Sequence, residues 1–221
     1  MITINNLHKA FKVGERVLEV LKGVDLSIKR GSMTAIMGRS GSGKSTLLNI
    51  IAGLDKPDSG TYMYEQEDLT TKTLNQLADF RREKIGFILQ NYALIDTKNV
   101  FDNVALPLKY SKYPKAKISH MVEDVLEALE LGKLGFHSVD MLSGGEMQRV
   151  AIARALVQEP EIILADEPTG SLDEHSEQNI LSIFKDLNIR GKTIVVVTHD
   201  QQVADACDET IYIKEGKIRY Y

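Results

Sequence analysis

Cysteine is nearly absent from this chain. Cys207 is the only one among 221 residues. A lone thiol cannot form a disulfide within the chain, and this usage is typical of a protein kept in a reducing compartment. With 43% hydrophobic residues, the chain can bury one substantial core. We therefore expect a single domain with room for an inserted subdomain.

Long apolar runs and excess positive charge are also missing. No window approaches the roughly 18 to 20 apolar residues that cross a bilayer. The N-terminal stretch MITINNLHKAF has no basic region followed by an apolar one, as a secretory signal would. The formal net charge is −4 and the sequence pI is near 5.8, so no basic surface for nucleic acid is indicated. We expect a protein that is soluble on its own and has no nucleic-acid partner.

Short apolar runs rich in β-branched residues recur along the chain and alternate with helical patterns. Several are apolar at consecutive positions, as in strands that are covered on both faces of an α/β sheet. Helix-like stretches separate them, for example STLLNIIAGL after the first. The pattern predicts a mostly parallel sheet built from MTAIM (33–37), IGFIL (85–89), EIILA (161–165), TIVVVT (193–198) and TIYI (210–213).

Two regions depart from this alternation. The N-terminal segments ITINNL, VDLSIK and GTYMY resemble antiparallel strands beside the main sheet. Strand signals disappear between about 91 and 158, where SHMVEDVLEALELG has helical spacing and Gly132 is placed to end the helix. We predict one domain over 1–221, with a core of 1–90 and 159–221 and a helical subdomain over about 91–158.

A glycine-rich segment lies between the first predicted strand and its helix, and it fits a phosphate-binding loop. Glycines let successive backbone N–H groups turn toward phosphate oxygens, and the helix N-terminus adds positive charge. Lys44 is expected to reach the β- and γ-phosphates and Ser45 to ligate Mg²⁺. The alternative is an ordinary glycine turn before a helix. A full match to G-x-x-x-x-G-K-[ST] disfavours it, and the matching residues are Gly38, Arg39, Ser40, Gly41, Ser42, Gly43, Lys44 and Ser45.

Polar residues follow two other predicted strands at the same sheet edge. Asp166 and Glu167 end the run IILADE, and ligands of open α/β sheets bind beyond such carboxyl ends. Asp166 suits the Mg²⁺ shell, and Glu167 suits a general base that polarises the attacking water. His199 follows TIVVVT and is a candidate γ-phosphate sensor and transition-state contact. The alternatives are solvated acids at a strand end and a structural histidine.

A second glycine pair opens the segment MLSGGEMQRV. Ser143 and Glu146 form an S-x-x-E capping box, which predicts a helix from there to about Gln158, before Pro160. The intervening glycines, Gly144 and Gly145, expose backbone at that helix start and form a second anion site. A single triphosphate bound in the first loop would not need this second anion site in the same chain. We therefore expect it to face the nucleotide of another copy in a head-to-tail pair. The alternative is a well-capped helix with an incidental Gly-Gly.

Together these segments resemble the ATP-binding subunit of ATP-binding-cassette (ABC) transporters over essentially the whole chain. GRSGSGKST, which includes Thr46, resembles that family's Walker A motif, and LSGGEMQRVAIARAL resembles its signature motif. IILADE resembles Walker B, and His199 the switch histidine. Gln90 in ILQN resembles the Q-loop glutamine, and GSLD (170–173) resembles the D-loop.

The resemblance implies the ABC ATPase fold and the hydrolysis of ATP with Mg²⁺ at two composite sites of a homodimer. Gln90 would touch Mg²⁺ and relay the nucleotide state to a membrane partner. Asp173 would act across the dimer interface, and Phe11 would stack on adenine where the family typically has tyrosine. Glu146 stands where glutamine is common, and both residues complete a capping box.

Other segments, among them LKGVDLSIKRG and RREKIGFILQNYALI, resemble the subgroup of MacB-, LolD- and FtsE-like proteins and Gram-positive peptide-antibiotic or bacteriocin exporters. This implies a bacterial protein at the cytoplasmic face of the plasma membrane, attached through a permease on a separate chain. Its expected work is export or extraction of a peptide, antibiotic or lipoprotein. The alternative is FtsE-like mechanotransmission for cell-wall remodelling. A soluble GTPase or kinase is disfavoured, because no N-K-x-D motif appears and a kinase has no need of LSGGE.

Overall fold

A mostly parallel six-stranded sheet forms the centre of the computed structural model, which describes residues 1–219. The strand order is β10-β9-β3-β8-β7-β6, and only the β9–β10 pair is antiparallel. All five predicted runs lie in this sheet. Its strands are β3 (Met33–Met37), β6 (Ile85–Ile88), β7 (Ile162–Asp166), β8 (Thr193–Thr198), β9 (Glu209–Lys214) and β10 (Lys217–Arg219).

The predicted antiparallel strands form a second sheet of four strands. They pair in the order β2-β1-β4-β5, and every pairing is antiparallel. The first two are long and extend beyond the core as a hairpin whose tip is exposed. The strands are β1 (Ile2–Val13), β2 (Arg16–Ile28), β4 (Ser59–Tyr64) and β5 (Glu67–Asp68).

Helices account for the rest of the regular structure, and within the described chain no strand lies between β6 and β7. That interval holds α3 (Val100–Val104), α4 (Lys115–Ala128) and α5 (Gly144–Leu156), with 3-10 turns at Leu106–Tyr110, Gly132–Leu134 and Val139–Met141. The other helices are α1 (Lys44–Ile51), α2 (Leu74–Lys84), α6 (Glu174–Ile189) and α7 (Gln201–Asp205).

The end of α4 differs from the prediction, because the helix stops at Ala128 and not at Gly132. Glu130 takes the left-handed conformation with φ 59°. Its N–H donates to Glu127 O at 3.0 Å, and the N–H of Leu131 donates to Leu126 O at 2.8 Å, which is the Schellman arrangement. The motif turns Leu131 into the core, where it is fully buried. Burial of this leucine therefore decides the helix end in place of a glycine.

Consecutive side chains of β7 pack into two different hydrophobic cores, which explains its uninterrupted apolar sequence. Ile162 and Leu164 pack in the cluster that includes the antiparallel sheet and α1. Ile163 and Ala165 pack in the cluster beneath the helices from α3 to α6. The central sheet is thus covered on both faces, which leaves the carboxyl edge of its strands as the place for polar groups. No helix within residues 1–219 is long and apolar enough to span a bilayer.

Candidate functional site

A cleft of about 750 Å³ opens at the carboxyl ends of β3, β7 and β8. Parallel strands bring their carboxyl ends to one edge, so residues far apart in sequence meet there. The cleft collects most of the residues singled out from the sequence, together with two others. It is lined by Phe11, Leu18, Val20, Gly38, Arg39, Ser40, Gly41, Gly43, Lys44, Ser45, Thr46, Gln90, Asp166, Glu167 and His199.

The loop that follows β3 depends on glycine at two positions. A Cβ at Gly38 would lie 2.3 Å from the carbonyl oxygen of Ile213, and one at Gly43 would lie 2.8 Å from Leu21 Cδ2. Gly43 also caps α1 with φ 107°, in the left-handed region. A side chain at either glycine would push the loop away from the neighbouring strands. The N-terminus of α1 therefore opens directly into the cleft.

Lys44 is a nearly buried cation at the base of this loop, with 8% of its surface exposed. Its Nζ donates to Gly38 O at 2.8 Å and to Arg39 O at 3.3 Å. Both hydrogen-bond partners are neutral backbone carbonyls. A nearly buried ammonium held in this way favours an anion in the cleft.

Asp166 ends β7 beside the first turn of α1. Burial raises the pKa of its carboxyl above the ordinary value, and the charge of Glu167 acts in the same direction, while a hydrogen bond from Ser45 and the charge of Lys44 lower it. A partly buried carboxylate in this setting is stabilised by a further cation. The pairing of a serine hydroxyl with a carboxylate fits Mg²⁺, whose sites use one or two carboxylates plus phosphate oxygens.

Glu167 and His199 are in direct contact at the mouth of the cleft. Glu167 Oε2 lies 2.8 Å from His199 Nδ1. Glu167 has φ 47°, and its N–H donates to Val197 O at 2.9 Å, which ties it to the strand before His199. The carboxylate side chain is 14% exposed and the imidazole 70%. The carboxylate thus sits inside the cleft, and the ring shields it from one side.

The β1–β2 hairpin forms an apolar wall of the cleft. Phe11 pairs with Leu18 across the strands, and its ring is 39% exposed. Lys9 Nζ lies 5.2 Å from the ring centroid. Leu18 and Val20 line the cleft as well and were missed from the sequence. Their alternation on the strand opposite Phe11 was the signal that could have found them.

The Ser143–Glu146 segment forms the capping box predicted for α5. Glu146 Oε2 accepts from Ser143 N at 2.8 Å and from Ser143 Oγ at 2.7 Å, and Ser143 Oγ accepts from Glu146 N at 3.3 Å. These bonds hold the pKa of Glu146 below its ordinary value. A Cβ at Gly145 would lie 2.8 Å from Ser176 Oγ, so the helix start packs tightly on α6.

The structure does not bring every predicted site residue into the cleft. Ser42 lines an adjoining cavity of about 440 Å³, and its buried hydroxyl has no hydrogen-bond partner. Asp173 caps α6 by accepting from Ser176 N at 3.0 Å. The residues outside the cleft are Ser42, Ser143, Gly144, Gly145, Glu146 and Asp173.

No group of three or more His, Cys, Asp or Glu within residues 1–219 could hold a metal ion by itself. A glycine loop before a helix, a buried lysine and two carboxylates at a strand end together define a P-loop nucleoside triphosphatase.

Comparison with known proteins identifies the family. Residues 21–170 match the family described as ABC transporter. The chain is 44% identical to the uncharacterized ABC transporter ATP-binding protein YvrO of Bacillus subtilis (strain 168), over 99% of this chain and 95% of that protein. It is 43% identical to the macrolide export ATP-binding/permease protein MacB of Shewanella sp. (strain ANA-3), over 99% of this chain but 33% of MacB.

Solved structures agree in fold. A dimeric structure of MJ0796, a bacterial ABC transporter cassette, has a TM-score of 0.91 and 43% identity, with 100% of this chain and 97% of that chain covered. A dimeric post-hydrolysis state of the same cassette with ADP and Pi has a TM-score of 0.92 and 41% identity, with the same coverage. The chain belongs to the ABC transporter family, and it is an ATP-binding cassette that hydrolyses ATP.

Proposed function

We propose that two copies of this chain associate head to tail, hold two ATP and Mg²⁺ between them, and drive a separate membrane subunit. The separation of the two anion-binding segments carries this proposal. Ser143 and its neighbours do not line the cleft that contains Lys44. A two-fold pair places the Ser143 segment of each copy against the cleft of the other. The dimeric structures of the MJ0796 cassette support the pairing of two copies.

Within each cleft, different residues of the chain bind the phosphates, the adenine and Mg²⁺. The loop from Gly38 to Thr46 and the Lys44 ammonium hold the phosphates of ATP, the substrate. Phe11 provides a ring on which adenine stacks, and Leu18 and Val20 extend that apolar wall. Ser45, Asp166 and Gln90 would hold Mg²⁺, which would neutralise negative charge on the phosphates.

For hydrolysis, Glu167 accepts the proton of the attacking water as general base. His199 holds that carboxylate through the 2.8 Å contact of Nδ1. Its other ring nitrogen, Nε2, is left for the γ-phosphate, so His199 lies between Glu167 and the transferring phosphoryl group. Asp173 acts across the interface between the two copies.

The membrane partner is a permease on a separate chain, which places this cassette at the cytoplasmic face of a bacterial plasma membrane. MacB unites ATP-binding and permease functions in its name, and the present chain spans only 33% of it. CbiO1 of Clostridium perfringens, 30% identical, is described as part of the complex cbiONQ, which supports separate subunits. The likeness to MacB favours export or extraction of a peptide, antibiotic or lipoprotein.

Capture of the partner tests this function. The tagged Glu167→Gln chain, expressed in its native cells and stabilised with ATP, is purified from detergent-solubilised membranes. We expect a permease with four membrane helices and a large extracytoplasmic domain to co-purify, and deletion of its gene to sensitise cells to a peptide or antibiotic. Lys44→Ala is the matched control and should capture less partner in ATP. A partner that activates cell-wall hydrolases would favour the FtsE-like alternative, and the absence of any membrane protein would overturn the proposal.

A further inference from the structure

The segment after Gln90 touches two other functional segments through one tyrosine. Tyr92 Oη lies 2.9 Å from Ser171 Oγ, and the two hydroxyls share a hydrogen bond. Ser171 lies four residues beyond Glu167, in the stretch from Gly170 to Asp173. The side chain of Tyr92 therefore joins the segment after β6 to the segment after β7. None of the sequence motifs assigned it a role.

The backbone at this tyrosine is held in a costly conformation. Tyr92 has φ 57° and Ala93 has φ 48°, both left-handed without being glycine. Arg154 of α5 donates from Nη2 to Tyr92 O and from Nη1 to Ala93 O, each at 2.6 Å. Strained residues of this kind persist only where their surroundings fix them. The guanidinium group of Arg154 therefore fixes the backbone that carries the Tyr92 side chain.

The hydroxyl of Tyr92 also lies close to the start of α5. A Cβ at Gly144 would lie 3.3 Å from Tyr92 Oη and 3.5 Å from Leu172 Cδ2. A Cβ at Gly170 would lie 3.6 Å from Gln90 Nε2 and 3.9 Å from Glu167 Cβ. One small region thus brings together the glutamine of the cleft, the stretch after the catalytic carboxylate and the first turn of α5.

We propose that Tyr92 is a positioning residue for ATP hydrolysis and acts through its hydrogen bond to Ser171. The bond fixes the 170–173 stretch and the first turn of α5 relative to Gln90 and Glu167. Tyr92 does not line the cleft of its own copy, and its hydroxyl is hydrogen-bonded to Ser171. The inference rests on the roles proposed for Gln90, Glu167 and the Ser143 segment, because those are the groups whose relative placement it controls.

Removing the hydroxyl of Tyr92 while keeping its ring separates a positioning role of this residue from a packing role. Phenylalanine at position 92 would keep the ring and remove the hydroxyl, which makes the bond to Ser171 and lies near Gly144. Tyr92→Phe, Ser171→Ala and the double variant therefore form a double-mutant cycle on one hydrogen bond. Tyr113→Phe is the matched control, since Tyr113 is an exposed tyrosine on the connector before α4.

Steady-state kinetics and ATP titration on the full chain give the readout. We expect each single variant to lower kcat about three- to tenfold, the size of one lost hydrogen bond. ATP affinity should stay within about twofold and the melting temperature within about 2 °C. The double variant should be no slower than the slower single variant, because both remove the same bond. Tyr113→Phe should match wild type.

Wild-type kcat in Tyr92→Phe would overturn the proposal. Losses of kcat that multiply in the double variant would overturn it as well. A fall in kcat accompanied by a similar fold-loss of ATP affinity, or by a melting temperature lowered by more than about 2 °C, would also overturn it. Such results leave the composite-site proposal standing, because ATP-dependent pairing of Glu167→Gln tests it without Tyr92. Conversely, failure of Glu167→Gln to pair in ATP would reject the composite site whatever Tyr92→Phe does.

Discussion

The cleft around Lys44 and the helix start at Ser143 both favour anions, but they satisfy their own polar groups differently. In the cleft, the lysine ammonium is nearly buried and rests on two backbone carbonyls. At the helix start, the Glu146 carboxylate accepts two hydrogen bonds from Ser143, and the Ser143 hydroxyl accepts one from Glu146 N. The cleft thus presents a cation to a ligand, whereas the capping groups at the helix start already bond to each other. This contrast suits a primary nucleotide site and a secondary face that meets the nucleotide of another copy.

Glu167→Gln should give the largest effect and acts only on the cleft. Removing the base should cut turnover by about 10² to 10⁴ while ATP still binds. The uncleaved nucleotide should then hold two copies together, which size-exclusion chromatography with light scattering would detect. Glu83→Gln, an exposed position on α2, should behave as wild type. Undiminished hydrolysis by Glu167→Gln would remove Glu167 from the base role.

Phe11→Ala should give an intermediate effect and tests the apolar wall of the cleft. Loss of base stacking should weaken ATP affinity by roughly 5- to 150-fold, since such a contact contributes about 1 to 3 kcal/mol. Phe11→Tyr keeps a ring and should retain wild-type affinity. Fluorescent nucleotide titration measures both variants. Equal affinities for Phe11→Ala and Phe11→Tyr would place the adenine elsewhere.

Glu146→Gln should give the smallest effect and acts only on the helix start. Bonds from Ser143 lower the pKa of Glu146 from its ordinary 4.5, so the ionised carboxylate stabilises the folded state above that pH. The contribution is lost as the pH falls through the lowered pKa. Glutamine can keep the capping box but cannot titrate, so at pH 7 the variant should be less stable by about 0.3 to 1 kcal/mol.

Urea unfolding of wild type and Glu146→Gln at pH 7 and at about pH 3.5 measures this difference in the free energy of unfolding and its dependence on pH. The gap between them should narrow in acid, because the Glu146 carboxylate is protonated as the pH falls through its lowered pKa. A gap that is the same at both pH values would show that the charge of Glu146 does not stabilise α5.

The sequence was sufficient where the signal was local. Strands covered on both faces leave continuous apolar runs, so the central sheet and the residues at its carboxyl edge could be predicted. The end of α4 could not, because burial of Leu131 and not a glycine decides it. Leu18 and Val20 were missed because the hairpin pairing places them in the cleft. Tyr92 was missed because its partner Ser171 lies 79 residues away.

The central claim is that each hydrolytic site takes its phosphate loop from one copy and its Ser143 segment from the other. Lys44→Ala breaks the first and Ser143→Arg the second, so each pure variant should be inactive. Mixing equal amounts should restore about a quarter of wild-type turnover, because half of the pairs formed at random are mixed and each holds one intact site. Full activity of Ser143→Arg alone, or no recovery in the mixture, would contradict the claim.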